Sequence, residues 1–237
     1  MQSPNSLHIA IIPDGNRRWA RRKGFSPEKG HEIAMKTVEK ILQKSLKLKI
    51  PYITFWLASI DNLTKRSKKE VKFLIKVIGE EIERLLEDGR IQENKVKIRV
   101  LGRFRKIFPE KVVNLIEKLI KKTEKHDLFF LTILLAYDGT DEMLNAMKRI
   151  ISFTKKRTIK VTKELIKDFL WTKDLPPVDL IIRTGCEGDP HNSAGFMMWD
   201  TRYSQYYFTK TLFPDLTPKE FEKAINIFLK TERRLGA

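Results

Sequence analysis

The chain has 237 residues, 41% of them hydrophobic and 32% charged, enough for one sizeable α/β domain or two small ones and outside the range of disordered chains. Its 47 Lys and Arg against 30 Asp and Glu give a formal net charge of +17, a field that suits polyanionic small molecules, an anionic membrane surface or nucleic acid. No nucleic-acid partner is expected, because the lysines are spread over most helices and no binding module interleaves them with aromatics.

Short apolar runs alternate with longer amphipathic ones, the βαβα signature of a mostly parallel sheet. Leu7–Ile12 reads as a buried strand stopped by Pro13 and Gly15, and it is too short and lacks the basic leader of a secretory signal. A helix opens next with Asn16, Arg17 and Arg18. His31–Leu48 carries Ile33, Val38, Ile41, Leu42 and Leu46 at helical spacing, and Tyr52–Leu57 is the second strand. Glu70–Leu86 predicts a long helix, Val96–Leu101 a strand with one wet face, and Pro109–Glu124 another helix.

Leu128–Tyr137 is almost wholly apolar, as a central strand would be, and a helix then runs to about Phe153. The basic segment Lys155–Lys163 reads as loop and short helix, not as a domain boundary. Asp179–Arg183 is a short strand, Phe196–Thr209 mixes aromatic and polar residues, and Thr217–Glu220 caps a last helix ending in Arg233-Arg234. Together these elements predict a single domain over residues 1–237, with a central, mostly parallel six-stranded sheet flanked by helices. The single cysteine, Cys186, fits a reducing cytoplasm. No stretch approaches the roughly 18 apolar residues of a membrane span, so a cytoplasmic protein that at most touches a membrane surface is expected.

The most informative stretch is His8–Ala20. A strand ends, Asp14 sits at its carboxyl end, Gly15 allows a tight turn, and a helix begins with arginines. Ligands of open α/β sheets bind at this edge, and unpaired N–H groups with Arg17 and Arg18 suit a diphosphate. Asp14 is then either a helix cap beside surface arginines or a Mg²⁺ ligand bridging protein and diphosphate. Arg183, at a strand end before Thr184-Gly185, is likewise either the partner of Asp179 or a phosphate ligand. His8 and His126 read as structural.

The segment His8–Ala20 resembles the signature of the cis-prenyltransferases, the undecaprenyl diphosphate synthase-like isoprenyl transferases. Gly30-His31, Ala58–Arg66, Asp179–Gly185, Tyr206–Thr209 with Phe213–Leu216, and the tail Glu232–Gly236 resemble that family's later motifs in order, over nearly the whole chain. The likeness implies condensation of isopentenyl diphosphate with an allylic diphosphate, geranyl or farnesyl, to a cis-polyprenyl diphosphate. It implies Mg²⁺ on Asp14, a cradle of Gly15, Asn16, Arg17 and Arg18, Trp19 beside the reacting end, and His31 hydrogen-bonding nearby.

From the third motif it implies Ser59, Ile60, Asp61, Leu63 and Lys65 at the substrate. Asn62 would help remove the proton that sets the cis double bond, by relay or orientation, since an amide is a poor base. Arg183 with His191, Asn192 and Ser193 would hold isopentenyl diphosphate. Arg234 and Gly236 would close that pocket across a homodimer interface, although Arg234 also reads as a basic helix end.

Several positions depart from the family pattern. Asp61 stands for Glu, Leu63 for Trp, and Pro27 for an Arg whose phosphate contact is then either missing or moved to Lys29. The fourth motif is longer than usual, with His191 the candidate for its second cation, and Gln205 stands where a second Mg²⁺-associated Glu is often found. The growing hydrocarbon needs an apolar tunnel, for which Glu70–Leu86 and Leu128–Ala136 are the natural walls and Phe73 and Leu74 the length gauges. A non-catalytic subunit of the same fold, or prenyl transfer to a different acceptor, are the alternatives. A trans-type synthase is not expected, because the chain contains no Asp-Asp-x-x-Asp run.

Overall fold

The structure is a computed structural model describing residues 7–155 and 159–232. Its frame is one six-stranded sheet of β1 (His8–Ile12), β2 (Tyr52–Ser59), β3 (Val96–Leu101), β4 (Phe129–Tyr137), β5 (Leu180–Arg183) and β6 (Gln205–Phe208), in the order β3-β4-β2-β1-β5-β6. Every neighbouring pair is parallel, one step beyond the mostly parallel sheet expected. The helices are α1 (Asn16–Arg22), α2 (Pro27–Lys47), α3 (Ile60–Thr64), α4 (Lys68–Glu87), α5 (Gly89–Glu93), α6 (Phe104–Ile107), α7 (Glu110–Lys122), α8 (Gly139–Thr154), α9 (Lys163–Phe169) and α10 (Pro218–Lys230).

The period of two in β1 divides the core. Ile9 and Ile11 join a large cluster with Ile41, Phe55, Leu74 and Phe213, whereas Ala10 and Ile12 join Trp56, Tyr137, Ile181 and Phe196 in another. Helix α4 turns Leu74, Ile78, Ile82 and Leu85 inward, each 2–4% exposed. The segment expected to wall a tunnel is thus part of a close-packed core. Helix α10 starts as its cap predicts: Thr217 Oγ1 accepts from the Glu220 N–H at 3.1 Å, but the Glu220 carboxylate takes the Thr209 hydroxyl at 2.7 Å instead of completing a capping box. Among the described residues no helix is long and apolar enough to cross a membrane.

His8 locks the amino end of the sheet. Its Nδ1 lies 2.9 Å from the Pro176 carbonyl, which only accepts, so Nδ1 carries the proton and Nε2 accepts from the Thr54 hydroxyl at 2.8 Å. The ring is wholly buried, and burial lowers its pKa from 6.5 to about 4. The unfolded chain therefore takes up this proton first. Stability is full above about pH 6.5 and falls as the pH drops through about 4, by on the order of 3 kcal/mol. Denaturant titrations at neutral and acidic pH should show this loss in the wild type and a smaller one in His8→Gln; equal losses would remove His8 from the acid limb.

Candidate functional site

Strand β1 lies between β2 and β5, so the chain leaves its carboxyl end at the point where the strand order turns back. Open α/β sheets form a ligand crevice there. A cavity of about 1100 Å³ occupies that place, lined from β1, α1, α2, the β2–α3 junction and the segment after β5.

Two glycines let the elements come together. Gly15 has φ +103°, and a side chain there would meet Leu212 Cδ2 at 2.7 Å. A Cβ on Gly30 of α2 would lie 2.3 Å from the Asn16 carbonyl oxygen, so the first turn of α1 rests on bare backbone. Asp14 Oδ1 accepts from the Gly15 N–H at 2.6 Å and faces Arg18 Nη2 at 3.4 Å, while Oδ2 accepts from Arg183 Nη2 at 3.2 Å. The same Arg183 donates through Nη1 to Ser193 Oγ at 2.8 Å and to the His191 carbonyl at 2.7 Å. Asp179, its alternative partner, instead accepts from the His8 N–H at the strand's other end, 2.9 Å away.

Asp14, Gly15, Asn16, Arg17, Arg18 and His31 all line the cavity, as do Ser59, Asp61, Asn62, Arg183, His191, Asn192 and Ser193. His191 does so with its carbonyl bound to Arg183, while its ring Nδ1 turns to Asp189 Oδ2 at 3.0 Å. Asn62 is fixed by a reciprocal cap: its N–H donates to Ser59 Oγ at 3.0 Å and its Oδ1 accepts from the Ser59 N–H at 3.4 Å.

Other expected residues sit elsewhere. Trp19 packs with Ala20 and Leu212 and donates to Asp215 Oδ1 at 2.7 Å, so it faces away from the cavity and meets it only through the neighbouring Phe25 ring. Ile60 packs against the main core and Leu63 is part of it. The Lys65 ammonium pairs with Asp61 at 2.8 Å out in solvent, with 73% of its side chain exposed. Gln205 pairs in register with Leu180 while Phe208 pairs with Arg183, so it lies at the amino end of β6, about 10 Å from the site along the strand. Lys29 pairs with Glu32 at 2.9 Å and does not line the cavity, whereas Pro27 does. Neither α4 nor β4 lines the cavity. Arg234 and Gly236 lie outside the described residues.

Sequence reasoning overlooked a buried charge cluster. Glu70, 6% exposed, accepts from Arg66 Nη1 at 3.0 Å and lies 3.6 Å from Arg17 Nε. Arg66 Nη1 also lies 3.2 Å from His31 Nε2, and burial first, then the Arg66 charge, lowers the His31 pKa. A neutral imidazole can accept this N–H. The signal was present: Ser67-Lys-Lys-Glu70 is a capping sequence, and Ser67 Oγ does accept from the Glu70 N–H at 3.2 Å. It marks a helix start, but says nothing of where the Glu carboxylate goes. Glu187 was likewise overlooked; it ties Arg22 at 2.8 Å and Arg18 at 3.5 Å to the segment after β5.

The cavity thus carries Arg17, Arg18, Arg21, Arg66 and Arg183 against Asp14 and Asp61, a balance that attracts polyanions. Among the described residues Arg183 Nε and Asn16 Oδ1 are buried there without a hydrogen-bond partner. No cluster of three metal-binding side chains occurs among the described residues. One carboxylate at the mouth of a cationic cavity still suits Mg²⁺, which commonly takes one or two carboxylates, substrate phosphates and water.

Comparison with known proteins gives the same direction. The family described as "Putative undecaprenyl diphosphate synthase" matches residues 12–236. An isoprenyl transferase of Thermus thermophilus is 38% identical, over 99% of this chain and 90% of its own length. A tritrans,polycis-undecaprenyl-diphosphate synthase (geranylgeranyl-diphosphate specific) of Pyrococcus furiosus is 34% identical over 97% and 86%. Lavandulyl diphosphate synthase of Lavandula x intermedia, solved in complex with dimethylallyl diphosphate, shares the fold with a TM-score of 0.90 over 100% of both chains at 23% identity. With its parallel sheet, its cationic cavity and this match along nearly its whole length, the chain belongs to the undecaprenyl diphosphate synthase family of prenyltransferases.

Proposed function

We propose that the chain condenses isopentenyl diphosphate with an allylic diphosphate, geranyl or farnesyl, to a cis-polyprenyl diphosphate. The observation that carries this reading is that two guanidinium sites share one cavity, with Arg17 and Arg18 on one side, Arg183 with Ser193 on the other, and Asp14 between them. Arg17 and Arg18, with Asn16, hold the allylic diphosphate, and Arg66 adds charge where Glu70 aims it. The allylic C–O bond breaks and inorganic diphosphate leaves with the electron pair. The isopentenyl double bond then forms the new C–C bond, and a proton passes to the departed diphosphate to set the cis double bond.

Fixed cations stabilise the leaving charge without reorganising. Mg²⁺, when bound at Asp14, supplies further charge neutralisation on the diphosphate. The Asn62 oxygen is spent on its own helix cap, which leaves the amide N–H₂ to orient a substrate oxygen; this supports an orienting role over that of a base. Arg183, Asn192 and Ser193 hold the isopentenyl diphosphate.

The working form in this reading is a cytoplasmic homodimer that contacts a membrane surface, with Arg234 and Gly236 of one copy closing the second pocket of the other. Two exposed features support self-association: an apolar stripe of Leu144, Met147 and Ile151 on α8, and the outer edge of β6, where Tyr206 and Phe208 stack at 5.4 Å. Convergence of Asp14, Asn16, Arg18, Asn62 and Arg183 on one cavity favours an active enzyme over an accessory subunit.

Purified protein with Mg²⁺ and labelled isopentenyl diphosphate should yield an organic-extractable product with geranyl, farnesyl or geranylgeranyl diphosphate as primer, and chromatography would give its length. No incorporation with any primer would favour the accessory subunit.

A further inference from the structure

A second groove, of about 600 Å³, opens where α3 and the first turns of α4 meet the start of α7, and it shares Arg66 with the catalytic cavity. Its floor is aliphatic, from Leu63, Val71, Ile75 and Val112. Its charged lining is wholly cationic: Arg66, Lys68, Lys72 and Lys76. The three lysines repeat every fourth residue, so they form one stripe along α4. Elsewhere acids neutralise the basic helices, as Glu28 does for Lys69 at 3.6 Å and Glu32 for Lys29 and Lys36. Among the described residues neither Lys68 nor Lys72 has a carboxylate partner, and Lys76 meets Glu80 only along its own helix, at 3.5 Å.

An aliphatic floor inside a cationic rim complements one kind of ligand, an apolar chain with an anionic head. Single-stranded nucleic acid would be served by aromatic stacking platforms, and the groove has none. An acidic peptide would use the rim and leave the floor wet.

We propose that this groove docks the protein on an anionic phospholipid bilayer, with the half-buried Val71 and Ile75 against the acyl region and Lys68, Lys72 and Lys76 on the lipid phosphates. Docking here places the mouth of the catalytic cavity next to the lipid, so that a long isoprenoid product passes to the bilayer without crossing water. Its purpose rests on the prenyl-transfer reading; the binding itself does not.

The test is co-sedimentation of the full chain with vesicles of mixed phosphatidylglycerol and phosphatidylcholine, alongside vesicles of phosphatidylcholine alone. Wild type should sediment with the anionic vesicles only. Each lysine near the surface is worth about fivefold, so losing the two charges in Lys68→Glu/Lys72→Glu should weaken binding at least about 25-fold. Position 68 lies in the first turn of α4, where a glutamate complements the helix dipole, and both positions are exposed, so this variant keeps its fold; thermal unfolding checks that. It should also keep wild-type incorporation with a short soluble primer. Lys118→Glu/Lys121→Glu, on the exposed side of α7, changes the net charge equally and should bind nearly as wild type. Equal losses in the two variants, or equal binding to both vesicle types, would overturn the docking site. Vesicle binding without incorporation would overturn the catalytic reading alone, and incorporation without vesicle binding would overturn the groove alone.

Discussion

Asp14→Ala is expected to lower turnover by about 10³-fold or more while the protein stays folded. Three contacts meet on this carboxylate: the Gly15 N–H, the Arg18 guanidinium and Arg183 Nη2. In the proposed reaction it also holds the metal that neutralises the departing diphosphate. The fold should survive, because 41% of the Asp14 side chain is exposed and Arg183 keeps the Ser193 hydroxyl and the His191 carbonyl. Asp14→Asn retains an acceptor for the Gly15 N–H but not the charge. If Asp14→Asn keeps the wild-type far-ultraviolet spectrum and thermal midpoint but not turnover, the charge is what matters. Turnover in either variant near the wild-type rate would sink the metal assignment.

Glu70→Ala should give the largest loss of stability, about 3 kcal/mol, because breaking a buried ion pair from one side leaves its partner's charge uncompensated. Glu70 is 8% exposed at its side chain and serves Arg66, itself 18% exposed, with His31 and Arg17 alongside. The same reasoning gives the loss a signature that ordinary core damage lacks. Arg66 and Arg17 reach the catalytic cavity, so an anion bound there can replace the missing carboxylate. Inorganic diphosphate should therefore raise the thermal midpoint of Glu70→Ala more than that of the wild type. Equal shifts in the two proteins would uncouple Glu70 from the anion site and leave it a purely structural residue.

Much of the fold was legible in the chain because strands and helices are written in neighbouring residues. The alternation in Val96–Leu101 became β3 with the same bounds, and the apolar run Leu128–Tyr137 became β4 in the sheet interior. The helix predicted from His31 starts earlier, at Pro27, because proline has no N–H to leave unpaired and its fixed φ suits the first helical position, which apolar periodicity does not register. Helices α3, α5 and α6 were missed, since four or five residues hold barely one period of the pattern.

The site divides along the same line. By itself the sequence determined the strand–turn–helix at β1, the need for Gly15, and the grouping of Asp14, Asn16, Arg17 and Arg18, because these residues are adjacent and their geometry is local. Only the tertiary structure decided which neighbour faces the ligand. Trp19 is one residue beyond Arg18, yet the docking of α1 against Leu212 and Asp215 turns it outward from the cavity. Lys65 and Arg66 are adjacent cations, and Glu70, four residues beyond Arg66, takes the second and leaves the first to solvent. Gln205 was placed by motif likeness, but the parallel register of β6 carries it to the sheet's amino end. A side chain's direction depends on how its element is rotated and paired, and distant contacts set that rotation, whereas neighbours in sequence set only the element's existence.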